Sequence, residues 1–138
     1  MALKKNKSGI NHPEAAAQEA FFAWAAIDKS IPYLNLLYAI QNAQNRPWSE
    51  TSKKIGINLA AARAKKQGVK KGVWDVNFPV PRGKYSSLWI EFKHGKNKLT
   101  KEQEEFREYL KEWCKFEVCY DWTSARLAVL KYWFERIL

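Results

Sequence analysis

The stretch LWIEFKHGKNK, Leu88 to Lys98, constrains the fold of this chain more than any other. Side chains on a strand alternate with period two, so Leu88, Ile90 and Phe92 share one face while Trp89, Glu91 and Lys93 share the other. Just upstream, DVNFPV sets Val76, Phe78 and Val80 against Asp75, Asn77 and Pro79, and PRGK then turns the chain back. Two alternating segments joined by a Pro/Gly turn predict a β-hairpin, with Pro79 near a strand end or on an edge because it lacks a backbone donor. The hairpin leaves a question: why does one strand face carry a carboxylate and an ammonium together?

The other elements arrange themselves around this hairpin. From Pro13, EAAAQEAFFAWAAI predicts a helix with Ala17, Phe21, Trp24 and Ile27 as an apolar stripe, and Glu14, Gln18, Phe21 and Ala25 along one side. After Pro32, YLNLLYAI is short and apolar and predicts a strand. Between Ser49 and Gln67, Ile55, Leu59 and Ala62 support a helix interrupted at Gly56, leaving through the basic turn RAKKQGVKKG. TKEQEEFREYLKEWC predicts a helix capped by Thr100 with Gln103 three residues on and Phe106, Tyr109, Leu110 and Trp113 at helical spacing. FEVCYD predicts a strand and TSARLAVLKYWFERIL a closing helix. This order describes a small mixed sheet with helices packed on it, of α/β or α+β class.

At 138 residues, with 46% hydrophobic and 14% aromatic residues, the chain suits one domain with one core. A polar, basic arm is expected over residues 1–10 and the folded domain over 11–138. The 24 Lys plus Arg against 14 Asp plus Glu leave a formal net charge of +10, which favours a polyanion, nucleic acid first, as partner. No run approaches the roughly 20 apolar residues of a spanning helix, and MALKKNKSGINH lacks the apolar centre of a secretory signal. A cytoplasmic protein without membrane attachment is therefore expected. Cys114 and Cys119 read as reduced core residues, and no further Cys or His pair completes a zinc site.

In the hairpin, Asp75 opens one strand and comes within reach of Glu91 in the other where the register fits, with Lys93 beside them. Two carboxylates converging on a point suit a hard cation, Mg²⁺ or Mn²⁺, able to polarise a phosphate and acidify a bound water, with the Lys93 ammonium orienting that water or offsetting negative charge. A solvated ion pair would account for Glu91 and Lys93 alone. Three features favour a site: the loop between Gly68 and Gly72 delivers Asp75 to its strand, Trp89 on the Glu91 face argues against simple solvent exposure, and Gln103 begins the inward face of the next helix. Glu14 can approach from the first helix.

GVWD, then IEFK sixteen positions after Asp75, then LTKEQ, together resemble the VRR-NUC (virus-type replication-repair nuclease) domain of the PD-(D/E)XK nuclease superfamily. EAAAQ at Glu14–Gln18 is similar to that family's E-x-x-x-Q, and AIQNAQNR to its AIPNGG-x-R segment, so the resemblance spans nearly the whole chain. It implies a single-domain, restriction-endonuclease-like α/β fold and a Mg²⁺- or Mn²⁺-dependent DNA endonuclease. By that resemblance Asp75 and Glu91 hold the metal with the Phe92 carbonyl, Lys93 is catalytic, Gln103 orients the site and Glu14 adds an acidic group. It further implies a phage or bacterial homodimer acting in DNA repair or recombination on branched DNA such as Holliday junctions. Trp74 stands where the family usually has Pro before the Asp, and QNAQNR departs from the family's glycines, so neither Asn42 nor Arg46 is assigned a role.

The run Arg63, Lys65, Lys66, Lys70, Lys71, extended by Lys96, Lys98 and Lys101, fits a phosphate track that sets affinity and salt dependence rather than sequence choice. Alternation turns His94 away from Lys93, so neither it nor His12 is expected as a general base. Trp113, Trp122 and Trp133 are expected in the core or at a dimer interface. The competing expectations are a nucleic-acid-binding module without hydrolysis and a nicking nuclease on duplex or flap DNA.

Overall fold

The computed structural model describes residues 12–41 and 49–135. The expected arm at 1–10 and most of the AIQNAQNR segment lie outside them. In chain order the elements are α1 (Pro13–Ile27), β1 (Tyr38–Ala39), α2 (Glu50–Ile55), α3 (Leu59–Lys66), β2 (Val76–Phe78), β3 (Ser87–Phe92), α4 (Lys101–Leu110), β4 (Cys114–Cys119) and α5 (Trp122–Phe134). The sheet has the order β1-β2-β3-β4; its first three strands are antiparallel and β4 runs parallel to β3. A parallel neighbour needs a crossover, and α4 supplies it. The α/β fold expected from the sequence is the one observed.

The alternation in β3 divides the molecule. Leu88, Ile90 and Phe92 are fully buried with Val76 and Phe78 against Phe21, Trp24 and Ala25 of α1 and Ala125, Ala128, Val129 and Tyr132 of α5. Each such aliphatic or aromatic side chain contributes about 1.5–3 kcal/mol by leaving water. The opposite face is covered by α4 through edge-to-face rings: Trp89 meets Phe106 at 5.1 Å, Phe106 meets Phe116 at 6.0 Å, and Phe116 meets Trp74 at 4.8 Å. Asn77, also on this face and buried, donates to the Leu88 carbonyl at 3.2 Å, which satisfies a group that would be costly to bury unpaired.

Several expectations shift in detail. The segment after Pro32 forms a short 3₁₀ turn at Leu34–Leu36, entered through Tyr33 in a left-handed conformation, and only Tyr38 and Ala39 pair as a strand. Ile27 is exposed, because α1 ends at Asp28, whose carboxylate takes the Trp24 indole N–H and the Ser30 backbone. The helix interrupted at Gly56 is two helices: Gly56 takes φ 71°, closing α2, and Ser52 and Ala64 are the buried residues there while Ile55 and Leu59 are exposed. Tyr109 and Trp113 are exposed as well; α4 stops at Leu110 and the Trp113 carbonyl accepts from Ser86 as the chain turns into β4 beside β3. Cys114 and Cys119 are free thiols, and burial pushes Cys119 up to about 12. Among the described residues no helix is long and apolar enough to cross a membrane.

Candidate active site

The register of the hairpin positions the first pair. Val76 lies opposite Ile90, so Asp75, one residue before β2, falls opposite Glu91. The two are interlocked: the Asp75 backbone N–H donates to Glu91 Oε1 at 3.1 Å, and the Phe92 N–H donates to Asp75 Oδ2 at 2.9 Å. Glu91 is almost wholly buried, as the alternation placing it beside Trp89 requires once α4 covers that face. Lys93, just past the end of β3, sets its Nζ 3.5 Å from Glu91 Oε2 with only 11% of its side chain exposed. The pair is buried rather than solvated.

Gln103 completes the grip on Glu91, and the way it does so follows from local sequence. Thr100 and Gln103 form a capping box: Thr100 Oγ1 accepts from the Gln103 N–H at 3.2 Å and Gln103 Oε1 accepts from the Thr100 N–H at 2.9 Å. With its oxygen engaged by the cap, the amide must present nitrogen outward, and Nε2 donates to Glu91 Oε2 at 2.8 Å. The network thus settles the amide orientation that its shape alone would leave open.

Burial, followed by the Asp75 carboxylate beside it, pushes Glu91 up from 4.5 to about 8, against the pull of Lys93. Burial also raises Asp75, with the Glu14 carboxylate adding to the effect and the Phe92 N–H and Lys93 opposing it. Two carboxylates forced together in a dry place cannot both ionise cheaply without a positive charge. Lys93 supplies part of that charge, and the oxygen donors of the pair suit a hard divalent cation, which keeps several waters and asks for no more than two carboxylates. Among the described residues no third His, Cys, Asp or Glu joins them to make a cluster of three.

Glu14 sits at the first turn of α1 and accepts from Asn97 Nδ2 at 3.4 Å. Asn97 belongs to the loop that leaves Lys93, and the Tyr120 hydroxyl donates to its carbonyl at 3.2 Å. Asn97 and Tyr120 were not legible in the sequence as site residues, since nothing in their spacing marks them. Trp74 stood out only as a departure from a pattern; it is fully buried and its indole N–H donates to the Gln103 carbonyl at 3.0 Å.

The basic residues are exposed, as a phosphate track requires. Arg63, Lys65 and Lys66 occupy the last turn of α3, and Lys70 and Lys71 follow in the loop toward Asp75. Lys71 pairs with Glu102 at 3.5 Å. Lys96 and Lys98 share the loop that carries Asn97. His94 and His12 are exposed outside the strand and helix they adjoin. Trp133 packs half-buried under the Arg82 guanidinium at 4.2 Å, whereas Trp122 is exposed.

No protein-family model matches this sequence, and no curated protein does. Among solved structures, a VRR_NUC domain protein matches over 86% of each chain with a TM-score of 0.62 and 24% sequence identity. The chain therefore shares its fold with a VRR_NUC domain protein, the small restriction-endonuclease-like architecture in which a four-stranded mixed sheet is flanked by helices.

Proposed function

We propose that this protein is a Mg²⁺- or Mn²⁺-dependent DNA endonuclease acting by preference on branched DNA such as four-way junctions. The observation that carries the reading is the Asp75–Glu91 pair, both carboxyls raised by burial and Glu91 further by the Asp75 charge, with Lys93 and Gln103 against Glu91 Oε2. Perturbed carboxylates beside a poised lysine suit hydrolysis better than a scaffold role. Asp75 and Glu91 would hold the cation, with the Phe92 main chain against Asp75. A cation there supplies Lewis acidity toward a phosphate oxygen and a more acidic water.

The chain's own residues do the rest. Gln103 keeps Glu91 Oε2 in one orientation, so that carboxylate is preorganised rather than recruited on binding. Lys93 offers a donor and a positive charge toward the charge that develops on the phosphorane-like transition state. Glu14, held by Asn97, adds negative potential that strengthens cation binding. Arg63, Lys65, Lys66, Lys70, Lys71, Lys96 and Lys98 would follow the phosphate backbone and make affinity salt-dependent. Paired cutting of a junction needs two such sites at fixed separation, so a homodimer accompanies this reading, as does work in DNA repair in a phage-infected or bacterial cytoplasm; the fold likeness to a VRR_NUC domain protein supports the nuclease class alone.

The test is cleavage of a labelled four-way junction beside a matched linear duplex, with Mn²⁺ or EDTA, by wild type and Glu91→Ala. Metal-dependent paired incisions confined to the junction and lost in the variant support the reading. Cutting of duplex or flap DNA instead moves it to a nicking nuclease. Equal binding by both proteins with no cutting under either condition leaves a nucleic-acid-binding module.

A further inference from the structure

Trp74 and Gly72 tie the loop that carries Asp75 to the helix turn that carries Gln103. The indole N–H of Trp74 donates to the Gln103 backbone carbonyl at 3.0 Å, and its ring meets Phe116 edge-on at 4.8 Å without any exposure to solvent. Two residues earlier, Gly72 takes φ 90° and lies so close to α4 that a Cβ there would fall 2.6 Å from the Glu102 carbonyl carbon and oxygen. Only glycine allows that approach. Lys71 adds an exposed ion pair to Glu102 on the same turn.

The covalent neighbours of these groups are the two jaws of the site. Trp74 adjoins Asp75, and Glu102 adjoins Gln103, whose side chain holds Glu91 Oε2. Among the described residues, Asp75 is otherwise anchored to the sheet through its own backbone and the Phe92 N–H. We infer that Trp74, seated by Gly72, is a positioning residue that locks the Asp75 loop onto the start of α4 and so fixes the separation of the Asp75 and Glu91 carboxylates for cation binding. This rests on the cation site proposed above. By linkage, if the clamp sets the geometry that the cation needs, the cation must in turn hold the clamp shut.

The first measurement needs no variant. Exchange of the Trp74 indole proton with solvent is followed by NMR with and without saturating Mg²⁺, using the Trp24 indole, which is bonded to Asp28, as the reference. Slowing of Trp74 by about 5-fold or more beyond any slowing of Trp24 supports the clamp; equal slowing of both, or none at Trp74, overturns it. The second is calorimetric titration of Mn²⁺ into wild type, Trp74→Phe, Gly72→Ala and the core variant Val129→Ala. Trp74→Phe keeps an aromatic ring against Phe116 and removes the donor, and Gly72→Ala forces the loop off α4. Both should weaken Mn²⁺ binding by roughly 5- to 20-fold and lower kcat with little change in KM for DNA, while Val129→Ala loses thermal stability and keeps its Mn²⁺ affinity. Unchanged affinity in the two clamp variants overturns the inference alone. A wild type that binds neither Mg²⁺ nor Mn²⁺ overturns the cation site and the clamp with it.

Discussion

Replacing Asp75 by Asn should make the metal-free protein more stable at alkaline pH, although it removes a proposed metal ligand. In the wild type Asp75 Oδ2 accepts from the Phe92 N–H, and its carboxylate lies against that of Glu91. Asparagine can keep the first of these interactions with its oxygen and turn its amide N–H toward Glu91, so repulsion becomes a hydrogen bond. The sign follows from the direction of the shift. Glu91 is raised from 4.5 to about 8 in the folded state, so its contribution is fully present below 4.5 and is lost as pH rises through about 8. Asp75 is raised too and acts with the same sign. The lowered carboxyls, Asp28, Glu102, Glu108 and Asp121, act in the opposite sense at acid pH and do not offset this loss.

A displacement of that size corresponds to about 3–5 kcal/mol between the two ends of the window. Burial is its first cause and Asp75 its second, so removing the Asp75 charge should recover about 1–3 kcal/mol. For a chain of this length that is a rise in melting midpoint of about 3–10 °C. The assay is thermal unfolding in EDTA from pH 5 to 9 for wild type and Asp75→Asn. Wild type should lose stability across the window, and the variant should lose less, crossing above it near pH 8. Adding Mg²⁺ at ten times its dissociation constant should return about 1.4 kcal/mol to the wild type and nothing to the variant. A wild type whose stability climbs from pH 5 to 8.5 in EDTA, or a variant that melts lower at pH 8.5, would refute the reasoning.

Lys93→Met should lower single-turnover cleavage about 10²- to 10³-fold while leaving DNA affinity within a factor of about three, since its Nζ faces Glu91 rather than solvent; rapid-quench kinetics on a junction substrate measure this. Gln103→Ala removes both a helix cap and the amide on Glu91, so it should cost about 1.5–3 kcal/mol, read as a lower midpoint in urea unfolding. Neutralising Lys65, Lys66, Lys96 and Lys98 together should weaken binding to all DNA forms alike, with the slope of log K against log salt falling by about one for each phosphate no longer neutralised; retained slope in fluorescence anisotropy titrations would remove these residues from the track.

Local patterns carried the reading of the fold. The period-two alternation in Leu88–Phe92 determined which face is core, because burial of Leu88, Ile90 and Phe92 admits only one register. The Thr100–Gln103 spacing announced the start of α4, and the hairpin brought Asp75 within reach of Glu91 in one register, the one the paired strands adopt. Each of these depends on neighbours a few residues apart or on one strand pairing. Tertiary structure alone decided the rest. How little of YLNLLYAI pairs as a strand, and which of Ile27, Tyr109 and Trp113 stay in water, depended on where other elements leave room.

The same holds within the site. The sequence marked Gln103 twice, as cap and as site residue, but only the packing of α4 on the sheet shows that the cap turns the amide nitrogen toward Glu91. Asn97, which holds Glu14 across 83 positions of chain, has no local signature. Trp74 read as an anomaly because its partners, the Gln103 carbonyl 29 residues away and Phe116, come to it only through the β3–α4–β4 crossover. Chemical type and short-range spacing are written in the sequence; convergence over long separations is created when burial of the two sheet faces forces distant segments together.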